Sequence, residues 1–68
     1  MNVNEELSLV ITRAIDEVKG DYPVLARIIS AASGREKVEL RVRQYIVAEG
    51  VDDVYEAIAQ VVMQLESQ

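Results

Sequence analysis

Carboxylates are the most abundant reactive groups in this sequence, and several are adjacent: Glu5-Glu6, Asp16-Glu17 and Asp52-Asp53. Paired carboxylates are the raw material of general acid–base work and of hard-cation binding. The other parts of that chemistry are missing. The 68 residues contain no Cys and no His. That removes thiolate and imidazole zinc ligands, Cys–His and Ser–His nucleophiles, and the usual proton shuttle near neutral pH. Asp52, Asp53 and Glu56 lack the ligand order of a Ca²⁺ loop. Gly20, Gly34 and Gly50 are spaced as helix breaks, not as a phosphate-cradling loop. Each acidic pair falls at a helix end or on an exposed face, where capping and the helix dipole account for it. The expectation is a protein that is not an enzyme and carries no metal and no cofactor.

Small acidic helical proteins include acyl carriers, which attach their prosthetic group to a Ser in an Asp-Ser-Leu context. Here Ser8, Ser30, Ser33 and Ser67 follow Leu, Ile, Ala and Glu, so that likeness fails.

The cations carry more information. Residues 35–43 hold Arg35, Lys37, Arg41 and Arg43, and the whole chain has only seven Lys and Arg. Residues 44–68 hold none, while Glu49, Asp52, Asp53, Glu56 and Glu66 fall there. A net charge of −5 is thus a local basic patch followed by an acidic final third. On a solvated helix such a patch needs no function. It also suits an acidic surface, such as the last helix of a second copy, because complementary charge steers encounter and fixes register. A third use is nucleic-acid binding, with a short helix and a Gly-containing turn leading into Arg35 and Lys37. Against it stand the negative net charge, which opposes the phosphate term, and Ser33 and Arg35 flanking Gly34 where the turn wants apolar neighbours.

Four elements must position these groups. Leu7, Val10, Ile11, Ala14, Ile15 and Val18 make a wide apolar stripe, so the spacing predicts a helix over 4–19. Asn2 or Asn4 is its cap, and Lys19-Gly20 ends it. Asp21-Tyr22-Pro23 opens a second helix over 22–32, with Pro in the first turn. Ser33 and Glu36 have capping-box spacing and begin a third over 34–49, stopped by Gly50. Its stripe is Val38, Val42, Tyr45 and Ile46, with Leu40 and Val47 less well placed. Asp53 and Glu56 start a fourth over 52–66, striped by Val54, Ala57, Ile58, Val61, Val62 and Leu65. The expected fold is an all-α single domain, 1–68. One segment argues otherwise: Val38-Glu39-Leu40-Arg41-Val42-Arg43 alternates with strand periodicity. That leaves an α-β-β-α fold, with a hairpin near 24–47, as the alternative.

Half the residues are hydrophobic but only 4% are aromatic, so the core must be Val, Ile, Leu and Ala. A domain near 60 residues buries only about 60% of its unfolded surface. With no disulfide available, a second chain is the natural support. The acidic Met1–Glu6 segment lacks the basic start of a secretory signal, and no apolar run approaches the ~20 residues of a membrane span. The expected setting is cytoplasmic. The expected function is that of a small protein–protein interaction or regulatory protein acting as a homodimer. Tyr55, Ala59, Val62 and Met63 form the expected contact face on the last helix, because they make a second apolar stripe beside the main one. No small-molecule substrate is indicated, and a nucleic-acid-binding role for 35–43 is the alternative.

Overall fold

The computed structural model describes residues 3–67, and the side chains of 5–67. Among the described residues the fold is all-α, with four helices: α1 (Val3–Val18), α2 (Pro23–Ile29), α3 (Gly34–Glu49) and α4 (Val54–Glu66). A 3₁₀ turn, Lys19–Asp21, joins α1 to α2. Residues 38–47, read two ways from their pattern, are helical throughout. The expected Asn2 or Asn4 cap lies outside the described side chains.

Local chemistry sets most boundaries. Pro23 occupies the first turn of α2, where its missing N–H leaves no bond unmade. The Asp53 carboxylate caps α4 by accepting from the N–H of Tyr55 at 2.9 Å and of Glu56 at 3.4 Å. Gly50 ends α3 at φ 64°, a left-handed conformation that glycine adopts without penalty.

Two expectations are corrected at the α2–α3 corner. α2 stops at Ile29, three residues short of the predicted end, because the chain tightens there: the Ala31 N–H donates to Ile28 and the Gly34 N–H to Ala31. The capping box at Ser33 does not form. Ser33 lies at φ 62°, and its side chain makes no cap hydrogen bond. A capping Ser or Thr needs an extended backbone to reach the first free N–H groups, and the corner holds Ser33 in the left-handed region instead.

That corner is tight because α2 and α3 cross closely at Gly34. A Cβ built on this buried residue would lie 1.7 Å from the carbonyl oxygen of Ile28. Only a residue without a side chain lets the helices approach in this way.

All four helices feed one core. Ile11, Ala14 and Ile15 from α1, Leu25 from α2, Val38 and Val42 from α3, and Ala57, Ile58, Val61 and Val62 from α4 are buried together. α3 packs against each of the other three helices. No polar or charged side chain is buried with them among the described residues. The radius of gyration is 11.2 Å, close to the ~11 Å expected of a compact chain of this length. No helix among the described residues is long and apolar enough to cross a membrane.

Two stability predictions follow. Gly34→Ala gains helix propensity but drives a methyl into backbone, so it should lose about 1–3 kcal/mol net, on the scale of overpacking. Thermal unfolding should show this as a fall in Tm of roughly 5–20 °C for a domain this small. Ser33→Ala and Asp53→Ala should part company in the same measurement. Loss of the Asp53 cap should cost about 1 kcal/mol, while Ser33→Ala should stay within about 0.5 kcal/mol of the parent. Equal losses would show that Ser33 is a cap after all.

Candidate interaction surface

Burial of Val38 and Val42, one helical turn apart, turns the opposite face of α3 to solvent. That face carries Leu40 and Val47, which are 46% and 74% exposed. They are seven residues apart and so lie on one line of the helix. Lys37, Arg43 and Gln44 stand three or four residues from one or both, with Glu36 the acid among these neighbours. α4 does the same. Its core face takes Ala57, Ile58, Val61 and Val62, and its outer side leaves Tyr55 and Met63 at 49% and 57% exposure. Half-buried Ala59 lies between them.

Of the expected contact face, Tyr55, Ala59 and Met63 therefore share an accessible edge of α4. Val62 does not: at 2% exposure it belongs to the core. It continues the core face of α4 with Ile58, four residues before it, and Val61. Val10, read as part of the α1 core stripe, is half exposed, as is its neighbour Leu9. That stripe is wider than the face the other helices cover.

The basic patch does not form one surface. Arg35 makes a forked ion pair across to α1, with Nη2 2.9 Å from Asp16 Oδ1 and Nη1 donating to Oδ2 at 3.1 Å. Lys19 approaches the same carboxylate at 3.8 Å. Arg43 pairs with Glu39 at 3.4 Å, and Glu39 also accepts a hydrogen bond from Ser8 Oγ at 2.6 Å. Arg41 turns to the other side and donates to Gln64 Oε1 of α4 at 3.3 Å. Lys37 is exposed and makes no ion pair among the described residues. So Arg35 ties α3 to α1, Arg43 pairs within α3 with the Glu39 that takes the Ser8 hydroxyl of α1, Arg41 ties α3 to α4, and Lys37 faces water.

Two shallow clefts flank Arg35. One, of about 390 Å³, is lined by Lys19, Gly20, Ala26, Ile29, Ser30 and Arg35. The other, of about 220 Å³, is lined by Ser8, Thr12, Arg35, Glu36 and Glu39. Their ionic groups largely hold one another: Asp16 takes both cations of the first, and Glu39 takes Ser8 and Arg43 in the second. Among the described residues no three carboxylates converge on a point where a cation could bind.

One link joins elements far apart in sequence. Tyr55 Oη donates to the Glu17 carboxylate and ties the start of α4 to the end of α1. The 38-residue separation left no local signal for it. Tyr22 and Tyr45 instead pack half-buried against the core.

No family model, curated protein or solved structure matches the chain.

The Tyr55–Glu17 bond has a measurable signature. The hydrogen bond, then slight burial and the negative charges of Glu17 and Asp53, hold the Tyr55 phenol above its ordinary value near 10. A phenol whose folded value is raised stabilises the fold fully below the unfolded value and loses that contribution as pH rises through the folded one. Ultraviolet titration of the three tyrosines should show one ionising late, and Glu17→Ala should bring it down. An unchanged curve in that variant would mean the bond does not persist in solution.

Proposed function

We propose that this chain is a small non-catalytic interaction or regulatory protein that works through its helical surface as a homodimer. The observation that carries the reading is the outward display of Leu40, Val47, Tyr55 and Met63 on two adjoining helices. Single exposed apolar residues are ordinary, but grouped ones mark contact surfaces. Burying a side chain of this kind is worth about 1.5–3 kcal/mol, and the monomer forgoes much of that here. Small size adds support, since an aliphatic core with no disulfide gains from a second chain. A cytoplasmic setting completes the reading, supported by a cysteine-free sequence that needs no oxidising compartment.

A nucleic-acid role for Arg35, Lys37, Arg41 and Arg43 receives less support. Phosphate binding needs several cations aimed one way, whereas three of these four bond to neighbours on different sides of α3.

Sedimentation equilibrium is the direct test. The apparent mass should climb from the 7.6 kDa of one chain toward twice that value as concentration passes through the micromolar range. A constant monomer mass up to about 500 μM, a Kd too weak for a specific dimer, would overturn the homodimer.

A further inference from the structure

We draw no further inference here: the strongest candidate, the outward side of α3 and α4 that carries Leu40, Val47, Tyr55 and Met63, sets exposed Glu36 beside Lys37 and an Arg43 already paired with Glu39, so its charge selects no partner and nothing in the structure shows what covers it.

Discussion

Val38 and Val42 fix the rotation of α3 about its own axis, and much of the surface follows from that rotation. α3 packs against all three other helices, as α4 also does, and these are its two fully buried large side chains. Once they point inward, Leu40 and Val47 must point outward, because positions two and five residues on from a buried one fall on the far side of an α-helix. The same rotation sends Arg35 to Asp16 on α1 and Arg41 to Gln64 on α4. Gly34 sets the height of the helix as Val38 and Val42 set its rotation, because its missing side chain lets α2 cross there.

The helices themselves are legible in the sequence. Pro23, Gly50 and Asp53 act through their own backbone or nearest N–H groups, so residue type alone places the boundaries at 23, 50 and 53. Ser33 shows where such reading stops. Its spacing to Glu36 has the form of a capping box, but the cap depends on a backbone angle set by the crossing of two helices. A pattern of residue types carries no information about that angle. The strand-like alternation at 38–43 has a related origin. A helix that buries few of its apolar residues has weak periodicity of its own, and the misplaced members, Leu40 and Val47, belong to the surface. Three of the four residues of the expected α4 face, Tyr55, Ala59 and Met63, are likewise visible as a stripe. Val62 also belongs to the main stripe of α4, and burial in the core separates it from that face.

Charge is organised in the same two-level way. The sequence shows cations collected at 35–43 and only acids after them. The fold then divides the cations, one tied to α1, one paired within α3, one at the α4 seam and one in water. A forked guanidinium–carboxylate pair such as Arg35–Asp16 adds geometric definition more than energy at an exposed site. These contacts hold α3 in angle while the aliphatic core supplies the cohesion.

A core with no buried polar side chain among the described residues also shapes the protein's response to temperature. Aliphatic burial near 25 °C is driven by entropy with almost no enthalpy, and its strength declines on cooling. Here no buried polar side chains add an enthalpic counterweight, and the few hydrogen bonds between side chains lie at the surface or are only partly buried. The stability curve of such a chain is shallow and domed, with its maximum typically at about 10–20 °C. Loosening is then an event of both extremes, in the cold as the hydrophobic drive fades and in the heat as chain entropy prevails.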